Sequence, residues 1–159
     1  MCIRDRLSDV LGNGRSSRLY QRLLKEQQLF GQIDAYLTGQ IDPGLLVIDG
    51  KPSKDISLEQ AEDAIWKELE ILKNEKISER ELEKLKNKIE SSLAFSEVNV
   101  LNKAINLAFF ELLGDANLIN SEAIAYQNVT IDDIQRVARE IFSKENCSEL
   151  YYRATKIDA

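Results

Sequence analysis

Histidine is absent from this 159-residue sequence. Acid–base chemistry near neutral pH and most protein zinc sites rely on imidazole, so its absence removes the commonest route to either. Ser–His and Cys–His nucleophile systems are excluded with it. Cysteine is nearly absent too. Cys2 and Cys147 lie far apart, share no metal-ligand spacing and define no disulfide framework. No apolar run is long enough to span a membrane. The longest, Val98 to Phe110, is broken by Asn99, Asn102, Lys103 and Asn106 and reads as a buried helix. Positive charge is in deficit, with 21 Lys and Arg against 27 Asp and Glu and a formal net charge of -6. Nucleic acid is therefore not an expected partner, because phosphate binding needs a concentrated basic surface. The clusters Arg15/Arg18 and Lys84/Lys86/Lys88 are interleaved with Ser or Glu and read as solvated helix faces.

What is present suits a folded domain. Hydrophobic residues make up 43% and charged residues 30%, and a chain this long buries a core without disulfide or metal staples. Residues 1–6 (MCIRDR) lack the apolar stretch and cleavage site of a signal peptide. Leu7, Val10 and Leu11 read as the last turn of an apolar helix. Residues 1–6 are therefore expected to be a non-native leader, and 7–159 a single domain truncated at its N-terminal side.

The periodicities divide the rest. Gly12 to Ser17 is a turn, and Ser16 is the expected N-cap of a helix to Gln27 with Leu19 and Leu23 inward. Leu29 to Thr38 alternates: Gly31, Ile33, Ala35 and Leu37 on one face, Phe30, Gln32, Asp34, Tyr36 and Thr38 on the other. After a turn containing Asp42-Pro43, Leu45 to Lys51 is a second strand, forming an antiparallel hairpin with the first. Ser57 with Gln60 and Ser78 with Glu81 open two helices as capping boxes. A third helix runs Glu97 to Leu113, closed by Gly114 at C′. Asp115 caps a short helix to about Tyr126, and Thr130 with Asp133 opens the last. Cys147 to Ala154 is a closing strand. Strands and helices are segregated, which indicates an α+β fold with an antiparallel sheet, incomplete in this chain, and helices packed on one face.

Four features invite a functional reading. The Gly12–Ser17 turn lacks phosphate-loop spacing and reads as a helix connection. The carboxylates from Glu59 to Glu97 are interleaved with lysine and read as a salt-bridged surface. Cys147 has no histidine to activate it and reads as a packed strand residue. The strand face bearing Phe30, Gln32, Asp34 and Tyr36 stays open to two readings. It binds a peptide by β-addition, or it is covered by a helix or another domain.

Several stretches together resemble the pitrilysin/insulinase family. They are Leu7-Ser8-Asp9-Val10-Leu11-Gly12, Gly14-Arg15-Ser16-Ser17-Arg18-Leu19-Tyr20, Leu24-Lys25-Glu26, Ala35-Tyr36, Asp42-Pro43-Gly44, Leu82 to Lys88, and Thr130 to Ile134. The resemblance implies one half of a clam-shell of related α+β domains around a peptide chamber. In such proteins zinc sits on an inverted His-x-x-Glu-His motif with a distal Glu, and the motif Glu activates the zinc-bound water. This chain has no such motif, so it resembles the half without zinc. The resemblance then implies a substrate-enclosing C-terminal domain of a zinc-dependent metalloendopeptidase. Zinc is expected in the full-length protein or a partner, and none on this chain. The implied partners are an upstream zinc-bearing domain or partner subunit and a peptide substrate. Active relatives contribute an arginine and a tyrosine where this chain has Leu24 and Gly31, so no catalytic residue is expected here. Arg22, Lys25 and Tyr36 are the neighbours that could stand in after a shift of register. The alternative is a non-catalytic scaffold or partner subunit of the same family.

Overall fold

The computed structural model describes residues 2–38, 44–96 and 98–153. Helix α1 (Cys2–Gly12) leads through a turn into a π-helix (Leu19–Glu26), then the hairpin β1 (Phe30–Leu37) and β2 (Leu46–Pro52). Helices α2 (Leu58–Asn74), α3 (Glu79–Ser96), α4 (Val100–Leu112), α5 (Leu118–Gln127) and α6 (Ile131–Ile141) follow. Strands and helices are segregated, as expected of α+β.

The hairpin is antiparallel, with Ile33 opposite Gly50, Ala35 opposite Ile48 and Leu37 opposite Leu46. The expected inward face holds at Ile33 and Ala35, which are buried against α1 and the π-helix. The Asp42-Pro43 turn lies outside the described residues. α1 packs on β1 and on α6, and α6 also packs on α2. The core is built where these elements meet, from Leu7, Leu11, Leu19, Leu23, Leu72 and Ile134 among others.

Two capping boxes form as the sequence predicts. Ser57 Oγ accepts the Gln60 N–H while Gln60 Oε1 accepts the Ser57 N–H. Thr130 and Asp133 do the same for α6. Gly114 ends α4 with φ +109°. Its N–H reaches Glu111 O, and the Asp115 N–H reaches Phe110 O. This paired closure needs a left-handed residue, which glycine supplies at least steric cost.

Five expectations need correction. The helix after the first turn is capped by neither Ser16 nor any other side chain. It begins after Arg18 and closes with the Gln27 N–H on Arg22 O, a π-type step. Asp115 is not the N-cap of α5, whose cap position is Asn117. The Asp115 carboxylate accepts the Asn117 N–H just ahead of the helix instead. Residues 147–153 form no strand, because among the described residues no neighbouring strand offers them a ladder. Glu68 and Glu81, two of the supposedly solvated carboxylates, are committed to ion pairs with Arg22 and Arg18. The fifth concerns the Val98–Phe110 run. α4 has no buried residue at all. Composition makes this helix apolar, but only packing decides whether anything covers it.

Candidate functional site

The outward face of β1 borders a shallow cleft of about 600 Å³. Gly12, Asn13 and Gly14 form one wall, Asp34 and Tyr36 a second, and Asp49 of β2 a third. A methyl-sized contact sets the spacing of the first two. A Cβ placed on Gly12 would stand 2.1 Å from the Ala35 backbone nitrogen. The end of α1 therefore meets the inner side of β1 only because residue 12 lacks a side chain and residue 35 has a small one.

Long-range contacts hold the turn. Lys88 Nζ of α3 donates to Asn13 O at 2.9 Å and to Asn13 Oδ1 at 2.7 Å. The Arg18 guanidinium donates from Nε and Nη2 to the two Glu81 carboxylate oxygens at 2.9 and 3.0 Å. This two-pronged, charge-assisted geometry is the strong form of the interaction. Glu81 thus leaves the capping box expected of it. The Ser78 hydroxyl still accepts the Glu81 N–H, but the carboxylate serves the tertiary fold.

Among the four expected strand residues, three share the open face. Gln32, Asp34 and Tyr36 are exposed, and Gln32 Nε2 donates to Asp34 Oδ2 at 3.2 Å. Phe30 does not join them. An irregularity of register between Phe30 and Gln32 breaks the alternation, as a bulge does. Phe30 is buried, with its ring against Gly50. Asp34 stands directly opposite Asp49, a like-charge pair that costs the hairpin stability.

The three possible stand-ins part ways. Arg22 Nη1 is bonded to the buried carboxylate of Glu68 at 2.8 Å. Lys25 lies over the Tyr20 ring at 5.7 Å. Tyr36 alone lines the cleft. Leu24 is half-buried beside the core, and Gly31 is exposed with no side chain to offer.

Away from the cleft, the buried Arg6 guanidinium stacks on the Tyr126 ring at 4.5 Å and reaches Asp9 at 3.0 Å, joining α1 to α5. Burial raises the carboxyls of nearby Asp5 and Glu122 above their ordinary values. Cys147, expected as a packed strand residue, is exposed and lies in no strand. Partial desolvation raises its thiol above the ordinary value, and the charges of Glu149 and Glu62 push it further. That environment disfavours the thiolate a nucleophile needs.

A zinc centre does not fit the donor set. The sequence has no histidine. Among the described residues no three His, Cys, Asp or Glu side chains stand together as metal ligands would. No described helix is long and apolar enough to cross a membrane.

Comparison with known proteins gives these features a context. A family model described as "Peptidase M16 inactive domain" matches residues 5–89. YmxG of Bacillus subtilis (strain 168), an uncharacterized zinc protease, is 29% identical over 140 residues, which is 87% of this chain and 34% of that protein. The chain thus spans about a third of that relative's length. Among solved structures, the inactive peptidase domain of a Bordetella parapertussis protein superposes with TM-score 0.86 at 22% identity. That match covers 100% of this chain and 86% of the other. A protease from Helicobacter pylori gives TM-score 0.81 at 24% identity, over 87% of this chain and 34% of its own. These likenesses establish the α+β fold.

Proposed function

Because this chain belongs to the peptidase M16 inactive-domain family, we propose that it is the substrate-enclosing domain of a zinc-dependent metalloendopeptidase that degrades or processes peptides. The zinc belongs to a separate domain or a partner subunit, since the sequence has no histidine and no donor set stands together among the described residues. One observation carries the reading. The open face of β1 presents Gln32, Asp34 and Tyr36 beside a cleft walled by the Gly12–Gly14 turn. Among the described residues β1 has a strand on one side only. An extended peptide laid there finds backbone partners along the strand and an aromatic anchor in Tyr36.

NMR titration of the labelled chain with an unfolded peptide tests this. The amides of Gln32, Asp34 and Tyr36 should shift, and Tyr36→Ala should weaken binding by about tenfold, the scale of a modest aromatic anchor. Shifts confined to other faces would sink the assignment. Cleavage of the peptide by this chain alone, with or without added zinc, would overturn the division of labour.

A second reading has its own observation. Leu24 and Gly31 occupy the places where the resemblance expects an arginine and a tyrosine, and neither places a polar group in the cleft. A scaffold or partner subunit without catalysis accounts for both. In that case the intact protein shows no peptidase activity without a second subunit.

A further inference from the structure

The turn that walls the cleft is tied to α3 at two points, and the two points lie in line. Glu81 and Lys88 are two helical turns apart on α3, so their side chains leave the same face. Leu85 stands between them on that face and is buried. Glu81 takes the Arg18 guanidinium at the far end of the turn. Lys88 takes Asn13 at the near end, on both its backbone and its side-chain oxygen.

Asn13 follows directly on the last residue of α1. Carbonyls at a helix C-terminus have no partner within the helix, and the macrodipole leaves partial negative charge there. An ammonium group answers both needs. Gly14 gives it room. With φ +89° and no side chain, Gly14 leaves open the space beside Lys88 Nζ, which a Cβ there would approach to 3.3 Å. The Asn13 side chain is also held from its other end, since Nδ2 donates to Asp9 Oδ1. Asp9, Asn13 and Gly14 all line the cleft, and Lys88 does not.

Lys88 is an exposed residue, and exposed charged contacts contribute little to folding. Its two bonds are nonetheless charge-assisted and fix two oxygens of the cleft wall. A side chain of that kind acts on what the cleft binds more than on whether the chain folds.

We propose that Lys88 is a positioning residue, which holds the Asn13–Gly14 wall where an extended peptide on β1 meets it already ordered. This rests on the peptide-binding role proposed for β1.

Three variants of the whole 159-residue chain test it. Lys88→Met keeps the reach of the side chain and removes its donors, and Lys88→Arg supplies donors again. Lys84→Met removes the same charge from another exposed position on α3. Amide relaxation without ligand reads the wall. NMR titration with a short, uncharged peptide, unfolded in water, reads binding, and keeps simple attraction to a cation out of the comparison. In Lys88→Met the Asn13 and Gly14 amides should become mobile and peptide affinity should fall about fivefold, as expected when a wall must be ordered on binding. Its Tm should move by no more than about 3 °C. Lys88→Arg should recover the affinity, and Lys84→Met should match wild type. Rigid Asn13 and Gly14 amides in Lys88→Met overturn the inference, and so does unchanged affinity beside a mobile wall. An equal loss in Lys84→Met assigns the effect to charge instead of position and overturns it too. If wild type shows no shifts at Gln32, Asp34 and Tyr36, the binding role of β1 falls and takes this one with it. Where wild type binds and Lys88→Met binds equally well, only the role of Lys88 falls.

Discussion

Gly12→Ala adds one methyl group where α1 meets β1. The new Cβ would lie 2.1 Å from Ala35 N and 2.6 Å from both Ala35 Cα and Ala35 Cβ. Comfortable contact between non-bonded carbons is about 3.5–4.0 Å. Two of the three obstructing atoms belong to the backbone of β1, which is held by its ladder to β2 and cannot swing aside as a side chain would. Away from any contact, alanine in place of a helical glycine gains roughly 0.5–1 kcal/mol. Overpacking of this kind costs typically about 1–3 kcal/mol. An overlap deeper than an ångström against backbone belongs at the upper end of that range. The expected net loss is about 2 kcal/mol, or roughly 4–8 °C in Tm for a chain of this size. Thermal and urea unfolding followed by circular dichroism measure it. Adding Ala35→Gly removes only one of the three contacts and should restore little. An unchanged or raised Tm for Gly12→Ala would refute the packing argument, and full rescue by Ala35→Gly would refute the part assigned to the backbone.

The other expectations concern charge. Arg22→Met leaves the buried Glu68 carboxylate without its partner and should cost about 2–3 kcal/mol in urea unfolding. That is less than the ~3–5 kcal/mol of a fully buried pair, because 35% of the Arg22 side chain stays in water. The double variant Arg22→Met/Glu68→Leu should recover most of the loss, and a double variant as weak as the single would contradict this account. Asp133 behaves differently with pH. Hydrogen bonds from the Thr130 side chain and backbone hold its carboxyl below the ordinary value of 3.8. A depressed native pKa means the stabilisation is present above that ordinary value and fades as pH falls through the lower native one. Asp133→Ala should therefore cost about 0.5 kcal/mol at pH 7, with the gap to wild type closing in acid. A gap constant with pH would show that the ionised carboxylate plays no part.

Much of this molecule is determined by local chemistry and so is legible in the chain itself. Ser57 with Gln60 and Thr130 with Asp133 cap helices wherever they stand, because every atom of the box lies within one turn. Gly114 closes α4 for the same local reason. Ile33 and Ala35 face inward because a strand alternates with period two. The absence of histidine, the side chain on which most protein zinc sites rely, is likewise read from the sequence directly. What tertiary structure decided is of another order. Phe30 left the open face because of a register irregularity. Glu81 gave up its capping role for Arg18, 63 residues away in the chain. Among the described residues the Cys147 segment found no strand to join, since a strand exists only beside a partner. α4, read from composition as a core helix, turned its leucines outward. Local patterns record what a segment prefers, whereas burial depends on which other surfaces arrive beside it. That is settled only when the whole chain has folded.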